Sequence, residues 1–417
     1  MSRDRQKKPT YIVRPQTALL TRGFDPKLSV GSARPAVFRS STYVFPSPEA
    51  AERAFAIAMG KVVPADGENP ALIYSRLSHP NADILEDQIV PLEPGAHAAA
   101  VFNSGMAAIT TLFFSLCQPN TSFVYTVPLY GGTYHFIHRV LAPLGVMGIP
   151  VRAGDTAGMR EAIRSSPNLR LVFIETPANP TLAMSDIAAA AEAARARTDA
   201  PLVAVDNTLM GPVFQHPLRH NADLVVYSAT KYLSGFSDML AGVILGTSPQ
   251  IIEELRGLRA ILGNILQPDE CWLLDSRLPT VTFRMNRQSK NAQHIVETLV
   301  SNPHLKAIHY PLRFEDADQR RIRDAQCRFP GGMFAIALRG GKKAAFDFLR
   351  KLTIIKNAVS LGGVESLACH PATTTHSEMS EEELRQAGIS DELVRISVGV
   401  EDWHDLLHDI EHALGSQ

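Results

Sequence analysis

The stretch Leu224-Val225-Val226-Tyr227-Ser228-Ala229-Thr230-Lys231-Tyr232-Leu233-Ser234-Gly235 decides how the chain is read. A single lysine closely follows an apolar run and is flanked by small hydroxyl residues. An ammonium group at the mouth of a buried strand is costly unless its charge is used or removed. Desolvation lowers a lysine pKa, and the neutral amine is the form that condenses with an aldehyde. Ser228 and Thr230 offer hydroxyl donors at the same point, which suits an anionic phosphate. Amine, aldehyde and phosphate together describe pyridoxal 5'-phosphate (PLP). From this stretch alone, a snorkelling surface lysine beside polar turn residues fits equally well.

The other apolar runs decide between the two. They are Ala98 to Phe102, Phe123 to Tyr125, Leu171 to Ile174, Leu202 to Val205 and Leu224 to Val226. Continuous rather than alternating runs fit strands buried on both faces of a mostly parallel sheet. Alanine-rich helical stretches lie between several of them, most plainly residues 185–197, where Ser185 or Asp186 can cap the start. Each run ends in polar chemistry on its C-terminal side: Ser104-Gly105-Met106, Tyr130-Gly131-Gly132, Glu175-Thr176-Pro177, Asp206-Asn207-Thr208, and Ser228 to Lys231. Open α/β sheets bind ligands at the carboxyl ends of their strands. Five such ends pointing one way define a site.

Composition narrows the function classes. A chain of 417 residues exceeds one small core, so a large and a smaller domain are expected. The net charge of −1 offers no basic field for nucleic acid or a membrane surface. No apolar stretch approaches the roughly 20 residues that span a bilayer. The basic cluster Arg3, Arg5, Lys7, Lys8 has no apolar core after it and reads as a solvated terminus, not a targeting signal. Cys117, Cys271, Cys327 and Cys369 show no paired spacing, which fits free thiols in a reducing, cytoplasmic compartment. His135 and His138 sit three apart but read as core or interface residues, and no metal site is expected.

Three zones are expected. Residues 1–75, rich in proline, serine and arginine, read as an arm contacting a neighbouring subunit. Residues 76–275 carry the βα alternation of a large cofactor-binding domain. Residues 276–417 change texture: a helix over 282–300, strands at 333–338 and 394–398, and helices at 341–352 and 402–414 form a smaller α+β domain.

Eight motifs in order carry a resemblance: Tyr74-Ser75-Arg76, Ser104 to Ile109, Tyr130-Gly131-Gly132-Thr133, Glu175 to Pro180, Val205-Asp206-Asn207-Thr208, Ser228 to Tyr232, Ser360-Leu361-Gly362-Gly363 and Arg395 to Gly399. The chain resembles the cysteine/methionine-metabolism family of fold-type I PLP enzymes over nearly its whole length. That family includes cystathionine γ-synthase, cystathionine γ-lyase, cystathionine β-lyase and methionine γ-lyase. The resemblance implies a mostly parallel seven-stranded sheet and a homotetramer whose active sites are shared across an interface.

Roles follow residue by residue. Lys231 carries the resemblance to the family's cofactor-binding and catalytic lysine. The backbone of Ser104, Gly105 and Met106, opening a helix, suits the phosphate, with Ser228 and Thr230 alongside. Asp206 ends a fully apolar strand, where an unpaired carboxylate is expensive; paired with the pyridine nitrogen it becomes favourable, with Thr208 beside it. A helix-capping aspartate is the plainer reading of that residue. Tyr130 resembles the tyrosine that stacks on the cofactor ring and exchanges protons with the leaving group. Tyr74 and Arg76 resemble a pair reaching the phosphate of the neighbouring subunit's site, where a guanidinium fits bidentately. Arg395 resembles the clamp on the substrate α-carboxylate, completed by Asn179 and the Ser360 backbone. Leu361 stands where β-lyases often carry tryptophan, and Glu365 where cystathionine enzymes carry an acid near the distal end of the substrate.

The implied activity is γ-elimination or γ-replacement on a homoserine-type amino acid with a Cγ–S or Cγ–O leaving group: cystathionine, an O-acylhomoserine or canavanine. A β-lyase giving pyruvate and a non-catalytic PLP-binding regulator are the alternatives. Gly132 replaces the cysteine typical of methionine γ-lyases, which argues against methionine as the dedicated substrate. Phe236 stands where relatives have histidine, His79 where they have asparagine, and residues 61–73 resemble an insertion before Tyr74.

Overall fold

Seven strands form the central sheet of this computed structural model: β1 (Ala98–Phe102), β2 (Ser122–Val127), β3 (Met147–Arg152), β4 (Leu169–Glu175), β5 (Leu202–Asp206), β6 (Leu224–Ser228) and β7 (Gly242–Gly246). Their order is β1-β7-β6-β5-β4-β2-β3, and β7 alone runs antiparallel to its neighbours. The structure describes residues 13–65, 68 and 71–415. The basic cluster Arg3 to Lys8 and, within 61–73, Asp66, Gly67 and Pro70 lie outside the described residues.

The sheet is buried on both faces, which is why its strands read as unbroken apolar runs. On one face the helix Gly105–Leu116 drives Phe113 edge-on against Phe123, with centroids 5.0 Å apart, and against Phe136 and Phe173. On the other, the helix Ile187–Arg195 buries Ala190, Ala191 and Ala194 against the strands, capped by the Asp186 carboxylate, which accepts the Ala189 N–H. Two strands escape the sequence pattern for opposite reasons. β3 is a half-exposed edge strand without an apolar run. β7 is five residues bounded by glycines, and a Cβ on Gly242 would come within 3.0 Å of the Ala108 methyl, so only glycine allows helix and strand to approach this closely.

The helix Val281–Leu299 leads into a second sheet of β8 (Leu305–His309), β9 (Met333–Leu338), β10 (Lys356–Asn357), β11 (Leu367–Cys369) and β12 (Leu393–Ser397), in the order β10-β11-β12-β9-β8. It is antiparallel except between β10 and β11. Phe334, Ile336 and Ile396 pack with Phe348, Leu406 and Ile410 of the helices Gly341–Lys351 and Trp403–Leu414. The α/β architecture with a smaller C-terminal sheet is thus the one expected.

The N-terminal segment divides in two. Residues 13–39 tie to their own chain: Leu19 is buried beside Leu85 and Ile89, Arg34 pairs with Asp275, and the Trp272 indole donates to Pro35 O at 2.9 Å. The helix Pro48–Ala58 leaves Phe55 exposed, and Met59, Val62 and Val63 after it are exposed too. Among the described residues, no helix is long and apolar enough to cross a membrane.

Candidate active site

The carboxyl ends of β4, β5 and β6 set three polar groups side by side. Asp206 and Glu175 are in register on adjacent parallel strands, both buried. Asp206 Oδ1 accepts the Thr208 N–H at 3.0 Å and the Thr208 hydroxyl at 2.6 Å. Thr208 Oγ1 in turn accepts the Ser228 N–H at 2.9 Å, so one hydroxyl joins the ends of β5 and β6. Among the described residues, Asp206 Oδ2 has no hydrogen-bond partner. Burial pushes the Asp206 carboxyl above the usual range, and burial with the Asp206 charge does the same to Glu175. Behind this pair lies a polar layer: Asn207 donates to Gln215 O and to the Tyr227 hydroxyl, which donates to Glu93 at 3.0 Å.

Ser228 sits against the start of the helix Gly105–Leu116. A Cβ on Gly105 would come within 2.8 Å of Ser228 Cβ and Oγ, so the missing side chain is what lets strand end and helix end meet. Ser104 caps the helix, its Oγ accepting the Ala107 N–H at 3.0 Å. The Gly105 and Met106 N–H groups make no hydrogen bond among the described residues, leaving donors at the positive end of the helix dipole. The Thr230 hydroxyl, expected beside the phosphate, is engaged elsewhere: it donates to Ala241 O at 3.2 Å and accepts from Ala241 N at 3.0 Å. It pins the lysine turn to the segment entering β7.

Lys231 follows in a turn closed by its own N–H to Ser228 O at 3.0 Å. Its Nζ donates to Ser360 Oγ at 2.9 Å. Burial, assisted by the Arg395 charge, lowers its pKa to about 8. Arg395, 3 % exposed on the middle strand β12, donates to Ser360 O at 2.6 Å and to Asn179 Oδ1 at 3.1 Å, while its buried Nε finds no partner. Ser360 takes a left-handed φ of 88°, which directs its carbonyl to Arg395 and its hydroxyl to Lys231.

Tyr130 is 43 % exposed, and its ring leans on Gly132, where a Cβ would meet ring Cε1 at 2.7 Å. Glu365 is half-buried and accepts from the Ser237 hydroxyl. Leu361 is 7 % exposed within the large core cluster, so its side chain fills the domain interior. Tyr74 and Arg76 are not brought to Lys231 within one chain. Arg76 donates to Ala260 O at 2.7 Å and lies over the Tyr74 ring. His79 is explained locally: Nδ1 accepts the Ala82 N–H, capping the helix Pro80–Ile89 as an asparagine would, and Nε2 donates to Leu266 O. Phe236 lies under the Arg277 and Arg284 guanidiniums. His135 pairs with Glu378, and the His138 ring lies tilted against Tyr134, with centroids 4.0 Å apart.

These groups fit PLP: an amine of lowered pKa, a buried aspartate with one carboxylate oxygen still lacking a donor, and free N–H groups at a helix start beside Ser228. Fold and site define a fold-type I PLP-dependent enzyme. The chain belongs to the Cys/Met metabolism PLP-dependent enzymes, whose sequence profile matches residues 16–415. It is 39 % identical over 400 residues to an L-methionine γ-lyase of Pseudomonas putida, covering 95 % of this chain and 96 % of that one. It is 34 % identical to a cystathionine γ-synthase of Mycobacterium bovis, covering 96 % and 97 %. The solved structure of a Lactobacillus plantarum cystathionine γ-lyase complexed with L-serine superposes with a TM-score of 0.86 at 32 % identity, covering 97 % and 99 %.

The sequence marked Glu175 as a polar strand end without assigning it a role, and it did not mark His376. Glu175 ends an apolar strand just as Asp206 does, and the same desolvation argument would have flagged it. His376 had no such signal.

Proposed function

We propose that this enzyme catalyses γ-elimination or γ-replacement on an L-amino acid of the homoserine type bearing a Cγ–S or Cγ–O leaving group. The observation that carries the reading is the chain Arg395–Ser360–Lys231. The guanidinium suited to a substrate carboxylate holds the carbonyl of the same serine whose hydroxyl meets the lysine amine. A carboxylate on Arg395 therefore lies a fixed, short distance from the base. Bound PLP supplies the electron sink that makes the Cα and Cβ protons removable. Arg395, with Asn179, orients the carboxylate; Lys231 Nζ takes the Cα proton; Tyr130 passes a proton to the departing heteroatom. Cystathionine, O-acylhomoserines and canavanine fit this class. The intact set Lys231, Asp206, Tyr130 and Arg395 speaks against a silent PLP-binding regulator.

A product screen with these substrates, methionine and homocysteine in deuterium oxide tests the reading. A four-carbon keto acid or a γ-substituted product, carrying deuterium at Cβ, is expected. Pyruvate as the main product from every active substrate sinks the γ-assignment in favour of a β-lyase.

The working form is a homotetramer in the cytoplasm. Its support is the exposed apolar set Phe55, Met59 and Val63, the placing of Tyr74 and Arg76 away from their own Lys231, and four free cysteines. Mixing Arg76→Ala with Lys231→Ala subunits then regenerates some activity in hybrid assemblies. Inactive hybrids of confirmed assembly refute a shared site.

A further inference from the structure

The peptide group joining Leu129 to Tyr130 is gripped at both polar ends. Its N–H donates to Glu175 Oε2 at 2.7 Å, and its C=O accepts from His376 Nε2 at 3.2 Å. Both side chains are buried, 5 % and 1 % exposed. They come from different domains: Glu175 ends β4 of the central sheet, and His376 follows β11 of the small one.

The tautomer of His376 follows from its partners. The Leu129 carbonyl can only accept, so Nε2 carries the proton, and Nδ1 accepts from the Thr375 hydroxyl at 2.9 Å. Burial lowers the imidazole pKa to about 4, which keeps it neutral in this role. Glu175 is engaged at both oxygens. Its Oε1 accepts the Asn179 N–H at 3.0 Å, and Asn179 Oδ1 is the oxygen that holds Arg395. One carboxylate thus joins the backbone of the tyrosine to the backbone of the carboxylate clamp.

The Tyr130 side chain needs such help. Among the described residues its hydroxyl has no hydrogen bond, and its ring touches Gly132 and leaves 43 % of the residue exposed. Its direction is set by the backbone from which it springs. A displacement of about 1 Å at such a group is enough to lower a rate roughly 10²-fold.

We infer that Glu175 and His376 are positioning residues that aim the Tyr130 phenol from two domains, Glu175 setting the Asn179–Arg395 clamp at the same time. The inference rests on the reading of Tyr130 as the acid for the leaving group.

The test uses the full-length, PLP-loaded enzyme with whichever substrate the product screen finds active. His376→Leu removes the donor to Leu129 and should lower kcat about tenfold or more, with KM within about twofold. His376→Gln, whose amide N–H can reach the same carbonyl, should recover most of that loss. Glu175→Gln should lower kcat and also raise KM, because it disturbs the Asn179 contact as well. The visible circular-dichroism band of the bound cofactor should change in His376→Leu and return in His376→Gln. In a Tyr130→Phe background, already slowed by about tenfold or more, His376→Leu and Glu175→Gln should cost less than about a further twofold in kcat, since the group they aim is gone.

Full additivity in that background overturns the inference while leaving Tyr130 as the acid. A Tyr130→Phe enzyme with undiminished kcat overturns the role of Tyr130, and the positioning role with it. Should His376→Leu fail to fold, Glu175→Gln in the Tyr130→Phe background decides between the same two outcomes.

Discussion

The two halves of this site are built on different principles. The large-domain half consists of strand ends. Asp206, Ser228 and Lys231 each lie at or just beyond the last residue of a strand buried on both faces, and the sheet register sets their spacing. The small-domain half, Ser360, Arg395 and His376, comes from a loop, the middle of a strand and a coil segment, joined by hydrogen bonds across the domain boundary. The first half is held by the apolar sheet beneath it; the second is anchored by Leu361 and by the buried strand β12, and polar contacts across the boundary join it to the first. In the proposed reading, the cofactor groups come from the strand ends and the substrate clamp from the part joined across the boundary.

Five measurements sharpen that contrast. The largest effect is expected from Lys231→Ala. Removing the base lowers kcat by roughly 10²–10⁴-fold, while PLP stays bound through Asp206 and the helix start; loss of PLP along with activity would show that the strand-end groups do not suffice to hold it. Next is Arg395→Leu, which removes charged hydrogen bonds worth about 1.5–3 kcal/mol each. It should appear chiefly in KM, and an unchanged KM would remove Arg395 from the clamp.

The third concerns pH. Lys231 is lowered to about 8 by burial and by Arg395, so the amine that reacts with PLP accumulates as pH rises through that value. The rate of PLP binding to the PLP-free protein should climb across pH 7–9, and Arg395→Leu should move the midpoint upward by removing a positive neighbour. A midpoint that stays put would assign the shift to burial alone. The same depressed pKa has a stability sign. Between about 8 and the ordinary lysine value of about 10.4 the unfolded chain binds more protons, so this group's penalty is full below the window and fades as pH rises through it. Lys231→Met should therefore raise the melting temperature of the PLP-free protein at pH 7 and lose that advantage near pH 11.

The smallest effect is expected from Gly132→Ala. Its Cβ would sit 2.7 Å from the Tyr130 ring and must displace it slightly, so a several-fold change in kcat with little loss of stability is the outcome to look for. No change at all would mean that the ring has another resting place.

Much of the large-domain half was legible in the chain. β1 and β9 coincide with their apolar runs, and the ends of β2, β4, β5, β6 and β12 differ from those of the runs by at most two residues. The argument that a carboxylate or lysine at such an end is expensive led to Asp206 and Lys231, and it applied equally to Glu175. β3, β7 and β8 were missed because an edge strand, a glycine-bounded strand and a half-exposed strand lack that pattern. Sequence reasoning had no means of seeing that Thr230 is tied to Ala241, that Leu361 faces the core, or that His79 takes over an asparagine's capping role.

The sequence by itself determined strands β1, β2, β4, β5 and β6 and the polar groups at their ends, because burial of apolar strands is a local pattern and the groups terminating them stand out against it, while the cofactor came from those groups together with the family motifs. Only the tertiary structure decided which remote partners complete the site. Leu129 and His376 are 247 residues apart, and nothing in either neighbourhood announces the other. A hydrogen bond between distant buried groups has its cause in how two domains pack, and that cause is spread over every residue of the interface.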